Sequence, residues 1–122
     1  GADAITAVNT MGPGIHLDIQ ARKPVLHFGK GGVSGPALRP IAVRCISDIY
    51  KSVKIPIIGC GGVTCGRDAV EMFMVGASAV QIGTGVYYRG VEVFRLVSEE
   101  IKTFMEEEGF NSIKEMVGIV NN

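Results

Sequence analysis

The sequence lacks several features that would point to particular classes of protein. No apolar run approaches the roughly 20 residues that a membrane-spanning helix requires, so no transmembrane segment is expected. Lysine plus arginine and aspartate plus glutamate both number 12, and neither sign forms a long block. That balance gives no electrostatic support for a nucleic-acid partner. At 122 residues the chain is at most one domain, and neither a membrane nor a nucleic acid is an expected partner.

Paired cysteines are missing as well. The three cysteines are odd in number and form no C-x-x-C pair, which favours a reduced, cytoplasmic protein with free thiols. Cys60 and Cys65 flank a glycine turn, where each is either a reactive thiol or a small buried apolar side chain. His16 and His27 have no partner at metal or catalytic-triad spacing and are interpreted as hydrogen-bonding loop residues. We predict no metal site.

Apolar residues and glycine are abundant instead. Hydrophobic residues make up 47% of the chain and the mean hydropathy is +0.30, which suits strands buried on both faces. Two short apolar runs end abruptly in glycines, and a helical pattern follows each of them. The runs are Ile57-Ile58-Gly59-Cys60-Gly61-Gly62-Val63 and Val80-Gln81-Ile82-Gly83-Thr84-Gly85.

These glycine turns suggest a phosphate site. At the carboxyl end of a buried parallel strand, residues without side chains let a ligand approach bare backbone N–H groups. Two consecutive strands of this kind are typical of the last two loops of a (β/α)8 barrel. The alternative is that the glycines only form tight turns, and the repetition of the pattern argues against it.

A first strand is predicted over residues 4–8, and Asn9-Thr10 follow where it ends. These polar side chains are placed either to contact a ligand or to start the turn that Met11-Gly12-Pro13-Gly14 predicts. Alternation over residues 15–19 and a second run at 24–26 predict a hairpin inserted before the next helix. An insertion of this length between a strand and its helix is usually functional.

A glycine-rich segment, Gly29-Lys30-Gly31-Gly32-Val33-Ser34-Gly35-Pro36, leads into that helix. Its spacing matches neither a Walker loop nor a dinucleotide fingerprint. It still brings flexible backbone to a helix N-terminus, where free N–H groups favour an anion. Lys30 either adds positive charge there or is simply solvated.

The remaining pattern alternates strands with helices. Strands are predicted over residues 56–59 and 78–82, and helices over 38–53, 66–75, 86–88 and 91–107, with a terminal helix after a Ser112–Glu115 capping box. The apolar face of the first helix is predicted to comprise Leu38, Ile41, Ala42, Cys45, Ile46, Ile49 and Val53. That of the last long helix is Val93, Phe94, Val97, Ile101, Phe104 and Met105.

This order predicts an α/β fold with a parallel sheet and right-handed crossovers. Three strand–helix units cannot close a barrel, which takes eight. The fold class is therefore the C-terminal part of a (β/α)8 barrel, about three units, incomplete on its own. The whole range 1–122 is expected to be one segment of a single barrel domain. Because the chain opens Gly1-Ala2-Asp3 without an initiator methionine, further sequence is expected upstream.

Four segments together resemble the dihydroorotate dehydrogenases, and are most similar to their soluble, FMN-containing class that works with an electron-transfer subunit. The likeness spans most of the chain, in the family's order and spacing. The segments are Val8-Asn9-Thr10, Gly31-Gly32-Val33-Ser34-Gly35-Pro36-Ala37, Ile57-Ile58-Gly59-Cys60-Gly61-Gly62-Val63, and Gly76-Ala77-Ser78-Ala79-Val80-Gln81-Ile82-Gly83-Thr84.

The resemblance implies roles for individual residues. Val8 would lie against the flavin, and Asn9 and Thr10 would hydrogen-bond the pyrimidine or its carboxylate. Five backbone N–H groups would bind the FMN phosphate, those of Gly35, Gly61, Gly62, Gly83 and Thr84. The implied reaction oxidises dihydroorotate to orotate in pyrimidine biosynthesis. Its base, a cysteine, matches none of Cys45, Cys60 or Cys65, so no catalytic residue is expected in this chain.

The implied partners are dihydroorotate or orotate, the N-terminal part of the same barrel, an FAD and iron–sulfur electron-transfer subunit, and a second copy in a homo-oligomer. The electron acceptor, NAD or fumarate, stays open. Two other functions remain as alternatives. One is uracil or thymine reduction, because the dihydropyrimidine dehydrogenases share the Ser-Gly and glycine-turn pattern. The other is a non-catalytic half-barrel that binds a phosphate or a nucleotide.

Overall fold

The centre of the molecule is a parallel three-stranded sheet. A computed structural model describes residues 1–121. Strands β1 (Ile5–Ala7), β6 (Ile57–Cys60) and β7 (Ala79–Gln81) lie side by side in the order β1-β6-β7. Ile5 pairs with Ile57, and Ile58 pairs with Ala79, so β6 occupies the middle. All three carboxyl ends therefore meet at one edge of the sheet, as the sequence predicts.

Helices pack against this sheet. The helices are α1 (Arg39–Ser52), α2 (Gly66–Met74), the short α3 (Gly85–Arg89), α4 (Val93–Glu108) and α5 (Ile113–Met116). A 3-10 turn at Pro36–Leu38 precedes α1, and another at Ile119–Asn121 follows α5. Helix α2 packs most extensively against α4. The shared core contains Ala42, Ile46, Ile57, Val63, Ala69, Val70, Met72, Phe73, Ala77, Val93, Val97, Ile101 and Met116.

The long insertion before α1 forms two small antiparallel ribbons. Strand β2 (Met11–Gly14) pairs with β5 (Gly31–Val33), and β3 (Leu17–Asp18) pairs with β4 (Lys23–Pro24). The predicted hairpin is thus present, but the predicted turn at residues 11–14 is wrong because this segment is a strand. Its glycines and proline are accommodated by an irregular register between Met11 and Gly14, which is where such residues are tolerated in sheets.

Three further details differ from the sequence prediction. Ile41 and Phe94, which were predicted to lie on apolar helix faces, are exposed by 36% and 53%. Ser112 does precede α5, but its side chain makes no capping bond, and Glu115 accepts instead from the N–H of Asn111. The helical period identifies the apolar face of a helix, but packing against neighbouring helices and strands decides which residues at the border of that face are buried. In residues 1–121, no helix is both long and apolar enough to cross a membrane.

Candidate functional site

Three loops meet where the strands of the main sheet end. Val8 and Asn9 follow β1, Gly61 and Gly62 follow β6, and a third loop with Gly83 and Thr84 follows β7. The segment between β5 and the turn before α1 joins them, because the Thr84 hydroxyl donates to Ser34 Oγ at 2.8 Å. The structure therefore brings together residues that lie up to 76 positions apart (Val8 and Thr84) in the sequence.

One cavity of about 290 Å³ lies between these loops. All eight residues that the sequence nominated for cofactor or substrate binding line this cavity. Its complete lining consists of Val8, Asn9, Thr10, Ser34, Gly35, Leu38, Cys60, Gly61, Gly62, Gly83 and Thr84. None of these described residues carries a charge, so a bound anion would meet neither a carboxylate nor an ammonium group here.

The backbone supplies the polar groups of this cavity. We call the N–H groups of Gly35, Gly61, Gly62, Gly83 and Thr84 the amide cradle. Among residues 1–121, none of these five groups donates a hydrogen bond to another part of the chain. Gly35 and Gly61 are buried, and buried N–H groups are normally paired. A phosphate, which has several strong acceptor oxygens, fits this set of donors.

The glycine at position 62 is required by the backbone and by its neighbours. Its φ of +79° lies in the left-handed region, which other residues rarely adopt. A Cβ there would lie 2.7 Å from the Gly35 carbonyl oxygen and 2.8 Å from Arg39 Cβ. The loop after β6 can therefore lie directly against the start of α1 only because Gly62 has no side chain.

Two carboxylates that the sequence prediction missed occupy the N-terminus of α2. Asp68 Oδ2 accepts from the N–H groups of Thr64 and Cys65 at 2.9 and 3.1 Å, and from the Thr64 hydroxyl at 2.7 Å. Glu100 Oε2 accepts from the N–H of Gly66 at 2.5 Å. An exogenous anion is therefore excluded from this helix end. The available signal was Asp68 itself, since a carboxylate three residues after the N-cap is a common helix-start pattern.

Each of these carboxylates also binds an arginine. Arg39 Nη1 lies 2.6 Å from Asp68 Oδ1, and Arg89 Nη2 lies 2.6 Å from Glu100 Oε1. Burial by itself would raise the pKa of Asp68, but hydrogen bonds from Thr64 and the charge of Arg39 outweigh it. The pKa of Asp68 consequently lies below its ordinary value, and the carboxylate is ionised at neutral pH.

This depressed pKa predicts acid sensitivity of the site. A carboxylate with a lower pKa in the folded state contributes stability above its unfolded pKa of about 3.9, and loses that contribution as the pH falls through the folded value. We expect Asp68→Asn to lower the urea midpoint at pH 6, and the difference from wild type to shrink towards pH 3. Urea unfolding of both full-length proteins across this range measures it, and a difference independent of pH would contradict the assignment.

At the end of β1, one side chain is left with free donors. Asn9 Oδ1 accepts from the Thr10 N–H at 2.7 Å, which turns the carbonyl end of the amide towards its own loop. Within the part of the chain that the structure describes, the Asn9 side-chain nitrogen donates to no other residue. Both residues are exposed at the cavity. The arrangement can therefore donate hydrogen bonds to carbonyl or carboxylate oxygens of a ligand.

Sequence comparisons with known proteins match the chain to one family, the dihydroorotate dehydrogenases. The family model for dihydroorotate dehydrogenase matches residues 1–105. The chain is 49% identical over 122 residues to the catalytic subunit of dihydroorotate dehydrogenase B (NAD(+)) from Methanothermobacter thermautotrophicus, and the match covers 100% of this chain and 40% of that protein. It is 50% identical over 118 residues to the subunit of the same name from Pyrococcus furiosus, with 97% and 39% covered.

A solved structure agrees with the sequence comparisons. The crystal structure of DHODH from Eimeria tenella in complex with ferulenol superimposes with a TM-score of 0.81 and 30% identity. The superposition covers 98% of this chain and 31% of that one. The chain thus spans about 40% of the length of the named relatives that it matches. The predicted α/β class, consecutive units of a larger barrel, is confirmed.

Proposed function

Because this chain belongs to the dihydroorotate dehydrogenase family, we propose that the whole protein oxidises dihydroorotate to orotate, in pyrimidine biosynthesis, with FMN as cofactor. Residues 1–122 form one segment, the C-terminal part, of its single barrel domain. The observation that carries the proposal is the amide cradle, whose five N–H groups have no partner within residues 1–121 and surround one cavity beside Asn9 and Thr10. A flavin phosphate and a pyrimidine substrate are the ligands that match these two sets of donors.

In this proposal the amide cradle binds the FMN phosphate. The five cradle residues offer their N–H groups, and no described residue that lines the cavity adds a side-chain charge. Helix α3 begins directly after Gly83-Thr84, which matches the short extra helix that often completes phosphate sites in barrels of this kind. Val8, which lines the same cavity at the end of β1, would lie against the flavin.

Asn9 and Thr10 bind the substrate in the same proposal. The free Asn9 amide donors suit the carbonyl or carboxylate oxygens of dihydroorotate, and the bond to the Thr10 N–H fixes the amide orientation. FMN, when bound, supplies the acceptor for the hydride that leaves the substrate ring. The proton that leaves with it goes to a base in the upstream part of the protein, since no residue of this segment is assigned that role.

The family relationship also indicates which electron acceptor and which subunits act with this protein. The names of the relatives specify a catalytic subunit and NAD(+), which favours NAD over fumarate as the final acceptor. An FAD and iron–sulfur subunit would then carry electrons from FMN to NAD. We further propose that the catalytic subunit forms a homo-oligomer with its own copies and acts in the cytoplasm.

Anaerobic titration of the full-length protein tests the proposed function. The purified protein is expected to show an oxidised flavin spectrum that bleaches when dihydroorotate is added without oxygen. A flavin that stays oxidised with dihydroorotate but is reoxidised by uracil after chemical reduction would establish pyrimidine reduction instead. A folded protein that binds no flavin would leave only a phosphate- or nucleotide-binding module.

Replacing Asn9 tests the substrate site separately. We expect Asn9→Ala to raise the KM for dihydroorotate about tenfold, because a donor to a charged or strongly polar ligand contributes roughly 1.5–3 kcal/mol. Flavin occupancy should stay at the wild-type level, since the amide cradle does not include this side chain. Steady-state kinetics together with the flavin-to-protein absorbance ratio measure both quantities. Loss of flavin with an unchanged KM would contradict the assignment.

A further inference from the structure

We propose that Asp68 is a positioning residue that holds the amide cradle in its phosphate-binding arrangement. This inference rests on the proposed binding of the FMN phosphate. Asp68 lines no part of the cavity itself, so it would act on the ligand only through the loop of residues 61–65. We call this segment the glycine loop. The carboxylate is buried, with 6% of the residue exposed, and its partners lie on two separate elements.

The first set of contacts fixes the glycine loop itself. One oxygen of Asp68, Oδ2, accepts three hydrogen bonds from Thr64 and Cys65, at 2.7 to 3.1 Å. These residues follow Gly61 and Gly62 after one intervening residue, Val63, so the carboxylate determines where the loop after β6 turns back into α2. The two glycine N–H groups of the cradle lie at the opposite end of the same short segment.

The second contact joins the glycine loop to another loop of the cradle. Asp68 Oδ1 pairs with Arg39 at 2.6 Å, and Arg39 is the first residue of α1. That helix begins four residues after Gly35, and the backbone of Gly62 lies against Arg39. A single buried carboxylate therefore connects the loops that supply three of the five cradle groups.

A second ion pair also contacts the glycine loop. Arg89, at the end of α3, donates to the Thr64 carbonyl oxygen at 3.0 Å and pairs with Glu100 on α4. Helix α3 follows Gly83 and Thr84, the remaining two cradle residues. The glycine loop is thus held between Arg39 and Arg89. Because free amides bind a phosphate best when they converge before it arrives, this bracing should raise affinity for the phosphate specifically.

The test compares FMN with riboflavin, which has the same ring system and lacks the phosphate. Flavin is removed from the full-length protein, and dissociation constants are measured by fluorescence titration. We expect Asp68→Asn to weaken FMN binding about tenfold and leave riboflavin binding within about twofold of wild type. Glu71→Gln is the matched control, since exposed Glu71 also accepts from Arg39, at 2.9 Å, but makes no bond to the glycine loop.

The possible results test the positioning role of Asp68 separately from the proposed phosphate site. A wild-type protein that binds riboflavin as tightly as FMN contradicts the phosphate site itself. If wild type prefers FMN and Asp68→Asn retains that preference, or if the variant weakens both flavins equally, the positioning role is wrong. Should Asp68→Asn fail to fold, Arg39→Gln keeps the bonds from Asp68 to the loop and removes the ion pairs of Arg39 with Asp68 and Glu71, of which Glu71→Gln tests the second separately. An undiminished FMN preference in that variant would also overturn the inference.

Discussion

Gly62→Ala is expected to weaken FMN binding by about 100-fold, which corresponds to the loss of one or two hydrogen bonds to a charged group. The added methyl group would lie 2.7 Å from the Gly35 carbonyl oxygen and 3.0 Å from the Arg39 N–H nitrogen. Both neighbours are backbone atoms that cannot move aside independently. The glycine loop must therefore shift away from α1, and the Gly61 and Gly62 N–H groups move out of register with Gly35.

A matched control exists elsewhere in the chain. Gly109 has nearly the same backbone angle, a φ of +78° against +79°, and among the described residues no heavy atom lies within 4 Å of the place that a Cβ would take there. Gly109→Ala therefore introduces a similar left-handed strain, about 1–2 kcal/mol, without a steric clash, at a residue outside the described cavity lining. Fluorescence titration with FMN should give wild-type affinity for Gly109→Ala. Equal losses in the two variants would refute the packing argument.

Gly83→Asp is the second change for which a large effect is expected. No heavy atom of the described residues lies within 4 Å of a Cβ at position 83, and its φ is outside the left-handed region. Residues 1–121 therefore leave space for a side chain there. It would place a carboxylate beside the amide cradle, where repulsion of a phosphate about 5 Å away in a partly buried site amounts to several kcal/mol. FMN affinity should fall about 100-fold below that of Gly83→Asn.

The comparison of aspartate with asparagine isolates charge, because the two side chains have nearly the same shape. Riboflavin should bind both variants equally, since it carries no phosphate. The same comparison at high salt should narrow the difference for FMN, because screening weakens repulsion between partly exposed charges. If Gly83→Asp and Gly83→Asn bind FMN equally, the phosphate does not lie at this loop.

The local features of this site could be predicted from sequence, because each is written in a few adjacent residues. An apolar run that ends in glycine predicts both the strand and the bare backbone at its end, and the cavity contains all eight nominated residues. The parallel order of the strands then places the turns together. The prediction of a turn at residues 11–14 was wrong because the structure of this segment depends on a distant partner. Glycine and proline predict a turn locally, whereas the pairing partner of Met11 is Val33, more than 20 positions away.

The sequence could not indicate the contacts between charged residues that are distant along the chain. Arg39 and Asp68, or Arg89 and Glu100, could each have been solvated surface residues, as most charged residues are. Only the packing of α1, α2, α3 and α4 around the loop after β6 brings these pairs within 2.6 Å. The contribution of Glu100 to the α2 N-terminus was hidden for the same reason, since this carboxylate comes from α4.

The two outer strands of the main sheet also bear on how this polypeptide could be divided. In the described chain, up to Asn121, β1 and β7 each pair on one side only, and an apolar groove lined by Val80, Ile82 and Phe94 runs beside β7. Within residues 1–121, the outer edges of β1 and β7 are therefore available to pair with further strands, and the groove lies beside one of these edges. Open strand edges and apolar grooves are also features through which separate chains associate. We expect residues 1–122 and the rest of the full-length protein, produced as separate polypeptides and mixed, to reassemble into a flavin-binding protein.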